Sequence, residues 1–382
     1  MEPAKPGALK AATHEITWPE WEPVGFNNLP QTDDPFLPNH LRLPEGEIST
    51  YGPYPDGTEH FVVVSKRDFN PKPGIFQFRL CFLPTSIFAG PSPLETDQNR
   101  LRGPGKNWLF PTFHYRSTFF DLYPATTSAP KGLIVYHTSI MLLSIAEKDM
   151  VNKLRKKGWN VMVALPPDSL YRTRLPAMTS PNGTFQSATE LIARDMDRHY
   201  AEQAYATRAA LAYLHKTRPH WLTQKRVLMG ASVGTFGLPA EALMNPGWDS
   251  LVIVSGGTNL LATYASGAAK VFANTLAWVA DARKDPPPQV TRIPTDEDYR
   301  GIYRKAATLT KLHAGALAPR LRDQRILMIS GTLDRILPKT QLAEYHQALG
   351  QPERWTFPLG HHLIAVKLAF EVNRLDQWLM DD

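Results

Sequence analysis

The chain of 382 residues carries 42 basic against 36 acidic side chains, a formal charge of +6, and 43% of its residues are hydrophobic. This composition suits a folded globular protein of one large domain with an extension, or two domains; it argues against a disordered chain, and with no basic run beyond the short cluster at Lys156 and Lys157 it argues against a nucleic-acid partner. Cys81 is the single cysteine, so a disulfide-stapled scaffold is excluded as well.

Residues Met1 to Lys10 contain no apolar core of leader-peptide length. The longest apolar stretch, Leu133 to Ala146, is interrupted by His137 and is too short to span a bilayer, so no transmembrane segment is expected. A cytoplasmic location is slightly favoured, although an exported protein with its leader removed would read the same. More than half of the 34 prolines fall before residue 131. Each proline removes a backbone donor and fixes φ, which works against long helices there. His60 to Ser65, rich in valine, and Ile75 to Leu83, alternating apolar with polar, still read as strands. Residues 1–111 are therefore expected to form an irregular, strand-containing N-terminal region whose task the sequence leaves unstated.

From residue 112 onward short apolar runs alternate with amphipathic helical stretches, the pattern of a mostly parallel sheet wrapped by crossover helices. The strands are expected at Leu133 to Tyr136, Asn160 to Leu165, Arg226 to Met229, Leu251 to Ser255, Arg325 to Ile329 and Arg354 to Phe357. Ala146 to Lys157 should be a helix, since Lys156 and Lys157 suit its negative end and Gly158 suits a left-handed cap. A longer helix should start at a capping box formed by Ser187 and Glu190, with Ile192, Met196, Tyr200, Ala204, Leu211 and Leu214 on its apolar face. Between Thr258 and Gln324 the chain is longer than a simple crossover needs and is broken by Pro286, Pro287 and Pro288; a small helical cap over the site is expected there. Tyr264, Phe272 and Trp278 in that insertion suit either an apolar pocket lining or the packed core of the cap.

The sharpest chemical signal is Gly230-Ala231-Ser232-Val233-Gly234, a GxSxG between a strand and the helix-compatible run Leu238 to Met244. A serine on so tight a strand-to-helix turn projects its hydroxyl outward, and the close approach of the flanking positions demands small residues. By chance alone such a motif arises on the order of 0.1 times in a chain of this kind, so its partners decide the matter. A serine hydroxyl needs an adjacent base, and the base needs a carboxylate to fix its tautomer. Both occur downstream: Asp334 in the loop after the strand that ends near Ile329, and the pair His361, His362 before a final amphipathic helix expected from about Leu363.

With this chain order of serine, aspartate and histidine, residues 112–382 resemble the α/β-hydrolase superfamily. The resemblance implies a mostly parallel central sheet flanked by helices, with Ser232 as nucleophile, Asp334 as acid and His361, which follows Gly360, as base. His362 competes with His361, and Asp323, Asp281, Glu297 or Asp298 compete with Asp334. The resemblance also implies an oxyanion hole of two backbone amides, one on Val233 and one after an early strand. The second falls in Tyr136-His137-Thr138-Ser139, where Thr138 stands in place of the glycine many relatives carry, and is expected at Ser139 or Thr138, whose hydroxyls could add to it. His137 is expected to structure that loop, and His199 and His215 to be packing or surface residues.

The activity implied is hydrolysis of a carboxylic ester or related acyl compound, with a peptidase or acyltransferase on the same residues as the alternative and a non-catalytic binding protein as the remaining one. The partner is then a small-molecule or acyl substrate. No HExxH, CxxC, GxGxxG after a strand or Walker-type loop is present, so neither a metal nor a nucleotide cofactor is expected. Substrate identity and oligomeric state are not legible.

Overall fold

The computed structural model describes residues 46–51, 60–65, 78–84, 118–139, 144–164, 185–266 and 296–381. Four strands, Gly46–Tyr51 (β1), His60–Ser65 (β2), Phe78–Pro84 (β3) and Thr118–Tyr123 (β4), form an antiparallel run. Six more, Gly132–His137 (β5), Trp159–Ala164 (β6), Lys225–Ala231 (β7), Ser250–Val254 (β8), Ile326–Gly331 (β9) and Glu353–Phe357 (β10), run parallel. β4 joins the two sets by pairing antiparallel with β6, which gives a single sheet in the order β1-β2-β3-β4-β6-β5-β7-β8-β9-β10. This mostly parallel sheet, wrapped by helices on both faces, is the α/β-hydrolase fold.

The central strands β5 and β6 are apolar apart from His137 and Asn160 because both faces are covered. Every residue of β5 and β6 is buried, as a strand between two helical layers requires. Alternation then sorts the side chains. Leu133, Val135, Leu228, Leu251, Ile253, Ile326 and Met328 enter one core, while Ile134, Tyr136, Val227, Met229, Val252, Val254, Leu327 and Ile329 enter the other.

The second of these cores is closed by Ile145–Lys156 (α1) and, at the C-terminus, by His361–Phe370 (α8) and Val372–Met380 (α9). The first is closed by Phe185–Thr217 (α2), Leu238–Met244 (α3), Leu260–Ala265 (α4), Asp296–Leu309 (α5), Ala314–Leu317 (α6) and Lys339–Ala348 (α7). From β5 the chain crosses by α1 to β6 on one side, then returns by α2 to β7 on the other. The direction of winding reverses at β5, and the crevice beyond the carboxyl ends of β5 and β7 is where such a sheet receives a ligand.

Helix ends depart from expectation in two places. Ser187 and Glu190 do not cap α2, which already begins at Phe185 and so places Ser187 within its first turn. A capping box does close α1, where the Ser144 hydroxyl accepts from the Glu147 amide and the Glu147 carboxylate accepts from the Ser144 amide. The final helix starts at His361 rather than Leu363 and is broken in two at Glu371, whose backbone (φ −92°, ψ 10°) leaves the helical region. The α1 end follows the expectation, with Gly158 at φ +99° directly after the basic last turn.

Within the insertion, Tyr264 is buried and stands edge-on to Tyr303 at 5.8 Å, in the packed core between α4 and α5. Phe272, Trp278 and the three consecutive prolines lie outside the described residues, as do the first three positions of the strand expected from Ile75. Among the described residues no helix is long and apolar enough to cross a membrane.

Candidate active site

Ser232 opens a short 3-10 turn, Ser232–Thr235, directly after β7. Its φ of +51° is left-handed, a conformation that costs a residue with a Cβ roughly 1 kcal/mol or more. The surroundings enforce it. A Cβ on Gly230 would lie 2.7 Å from the Gly234 carbonyl oxygen, and one on Gly234 would lie 2.5 Å from that of His137 and 2.7 Å from that of Thr138. The two glycines thus let the turn close on itself and let β7 and the end of β5 touch. The Thr235 hydroxyl donates to the Ser232 carbonyl at 2.6 Å and fastens the turn from inside.

The β9 and β10 ends bring the partners. Asp334 is buried, and its Oδ1 accepts from the amides of Ile336 (2.8 Å) and Leu337 (3.1 Å). Its Oδ2 lies 2.7 Å from His361 Nδ1, and His361 Nε2 lies 2.8 Å from Ser232 Oγ. Burial pushes the Asp334 pKa upward, but the His361 hydrogen bond, the His361 charge and the two amides together outweigh it and hold the carboxyl below its ordinary range. A Cβ on Gly331 would fall 2.2 Å from the Leu359 carbonyl oxygen, so only glycine lets the β9 loop and the loop leading to His361 approach this closely. His362 is exposed and meets His361 only edge-to-face, at 5.5 Å between ring centroids. The structure therefore brings Ser232, His361 and Asp334 into one hydrogen-bonded chain and leaves His362 outside it.

The loop after β5 corrects the sequence-based expectation. The Thr138 amide donates to the Ala164 carbonyl at 3.1 Å, and the Ser139 amide donates to Glu147 Oε1 at 2.8 Å. Neither amide is left over to meet an oxyanion. The hydroxyls are no more available: that of Ser139 donates to Glu147 Oε2 at 3.1 Å, and that of Thr138 is shut away from solvent with no partner among the described residues. Both positions are removed from the oxyanion assignment. Val233, by contrast, sits in the first turn of the 3-10 segment, where an amide has no partner from its own helix.

Three further buried polar residues, none of them among the residues expected at the site, frame it. Glu147 lies behind Ser139. Glu241 has Oε2 only 2.8 Å from His137 Nε2, in a geometry that does not make a hydrogen bond. Gln203 donates to the same Glu241 oxygen at 3.2 Å. His137 thus belongs to the framework of the loop, His199 is buried beside Tyr200 and His215 is exposed. Among the described residues no group of three or more His, Cys, Asp or Glu side chains is arranged to hold a metal ion.

No family model matches the chain, and no curated protein matches its sequence. Solved structures do resemble it in shape. An esterase of Pyrococcus furiosus shares 13% identity over 70% of this chain and 87% of its own, with a TM-score of 0.44. Acetyl xylan esterase 1 from Thermoanaerobacterium sp. shares 14% over 81% of this chain and 87% of its own, with a TM-score of 0.45. The thioesterase domain from the curacin biosynthetic pathway shares 13% over 71% of this chain and 98% of its own, with a TM-score of 0.37. The strand order and winding described above carry the fold assignment independently of these likenesses.

Proposed function

We propose that the protein is a serine hydrolase that cleaves a carboxylic ester or related acyl compound through an acyl-serine intermediate. The observation that carries this reading is the continuous chain from Ser232 Oγ through His361 to Asp334, with contacts of 2.8 and 2.7 Å. Ser232 Oγ attacks the acyl carbon as its proton passes to His361 Nε2, and the carbonyl π pair moves onto oxygen. The Val233 amide meets that oxyanion. The intermediate then collapses, the bond to the leaving oxygen breaks, and His361 returns the proton to it. Water repeats the sequence on the acyl-serine and releases the acid. Asp334, with one oxygen on the Ile336 and Leu337 amides and the other on His361 Nδ1, holds the imidazole in the tautomer that leaves Nε2 free to accept.

Turnover of a p-nitrophenyl ester series by the wild-type chain, Ser232→Ala and His361→Ala tests this. The expected result is turnover by the wild type that both substitutions abolish, with the folded circular-dichroism spectrum retained. A Ser232→Ala protein that hydrolyses at the wild-type rate would remove Ser232 from the chemistry.

A further inference from the structure

Tyr136 and His137 are consecutive residues of β5, so their side chains leave the sheet on opposite faces. Each meets a glutamate that is almost wholly buried: Glu147 of α1 is 1% exposed and Glu241 of α3 is 0% exposed. Placing carboxylates in both cores of one domain is costly unless their hydrogen bonds are put to use. We propose that Glu147 and Glu241 are positioning residues of the candidate active site, a pair of carboxylates that hold the loop after β5 and the nucleophile turn in register from the two sides of the sheet. The proposal rests on the serine-hydrolase reading given above.

On one side, Glu147 accepts from the Tyr136 hydroxyl (2.7 Å), the Ser139 amide (2.8 Å), the Ser139 hydroxyl (3.1 Å) and the Ser144 amide (2.9 Å). Capping α1 needs only the Ser144 contact. The other three tie the carboxylate to the end of β5 and the first residues beyond it. Burial, the Glu147 charge and the Glu147 hydrogen bond all push the Tyr136 hydroxyl well above its ordinary value, so it remains a donor.

On the other side the contacts close a ring. Glu241 meets His137 at 2.8 Å and accepts from Gln203 at 3.2 Å. The same Gln203 nitrogen lies 3.5 Å from the Gly234 carbonyl oxygen, and Gly234 abuts the carbonyls of His137 and Thr138. The path from the end of β5 through Glu241 and Gln203 to the nucleophile turn therefore returns to the end of β5. Among the described residues Glu241 Oε1 is buried without a hydrogen-bond partner, which a residue kept only for stability would be expected to avoid.

Inactivation by a fluorophosphonate over a range of concentrations separates the limiting rate of attack from the half-saturating concentration. The wild-type chain comes first, because failure to label Ser232 would sink the hydrolase reading itself and not merely this inference. With wild-type labelling in hand, Glu147→Gln puts an amide N–H against donors; the expected result is a limiting rate lower by about tenfold or more. Glu241→Gln keeps one oxygen for its partners and is expected to lower it by about threefold. In both, the half-saturating concentration should stay within about twofold of wild type, since binding is not what these residues serve. Folded variants that are inactivated at the wild-type rate would overturn the proposal, as would equal changes in both quantities. Should Glu147→Gln fail to fold, Glu241→Gln decides the matter by the same two numbers.

Discussion

The carboxyl ends of β7 and β5 are neighbours in the sheet and open on the same crevice, yet they are built by opposite means. At β7 the residues that shape the turn lie within five consecutive positions: two glycines that permit close approach, and between them a serine at φ +51°. At β5 the amides of Thr138 and Ser139 are committed to partners distant in sequence, Ala164 on the next strand and Glu147 on the following helix. The first strand end is thus shaped by a short-range pattern, while at the second the backbone groups are taken up by other parts of the chain.

The first way to sharpen this contrast is to remove the residue on which the β7 turn converges. Ser232→Ala is expected to lower ester turnover by about 10⁴-fold or more, with the melting midpoint unchanged, as steady-state kinetics and calorimetry on one preparation would establish. Asp334→Asn leaves the loop its shape but takes away the acceptor on His361 Nδ1, and a loss of about 10³- to 10⁴-fold in kcat is expected. A kcat within a few-fold of wild type would mean that Asp334 serves the loop and not the histidine.

Between the two strand ends lies Gly234. Gly234→Ala would drive a methyl group into the His137 and Thr138 carbonyls, and a destabilisation of about 1–3 kcal/mol is expected from urea melts. An unchanged urea midpoint would show that the two strand ends are not in tight contact. Acid provides a milder perturbation. The Asp334 carboxyl is held below its ordinary value when folded, so its share of stability is present above the unfolded value near pH 4 and is lost as pH falls through the lower folded value. The stability difference between wild type and Asp334→Asn should accordingly shrink as pH falls below about 4. The smallest effect is expected at His362: its removal by His362→Ala should leave turnover within about threefold, because it is exposed and meets only the ring edge of His361.

Much of this architecture is legible in the amino-acid sequence alone. Strands buried on both faces are largely apolar, which marks β5 to β9, and these and the mostly exposed β10 lie within a residue or two of their expected bounds. Ser232, Asp334 and His361 are legible because each follows a strand closely, so that sequence position fixes the end of the sheet on which it emerges. Other features depend on contacts between distant parts of the chain. Nothing near Ser187 reveals that α2 starts two residues earlier, and nothing near Gly331 reveals that the Leu359 carbonyl will come within 2.2 Å of a Cβ there. The Ser144-x-x-Glu147 pattern is itself a readable cap, but the three additional donors on Glu147 come from a strand end and a loop that only the fold brings to it. Glu241 and Gln203 carry no local signature at all. They read as ordinary helix residues until the packing of α2 against α3 puts them under the nucleophile turn.

The central claim is that Ser232 is an activated nucleophile, and it is tested most directly by treating the purified chain and its His361→Ala variant with a fluorophosphonate and mapping the adduct by peptide mass spectrometry. The account predicts a single adduct on Ser232 in the wild type and none in the His361→Ala protein. A folded wild-type chain that takes no label, or one that labels equally without His361, would contradict it.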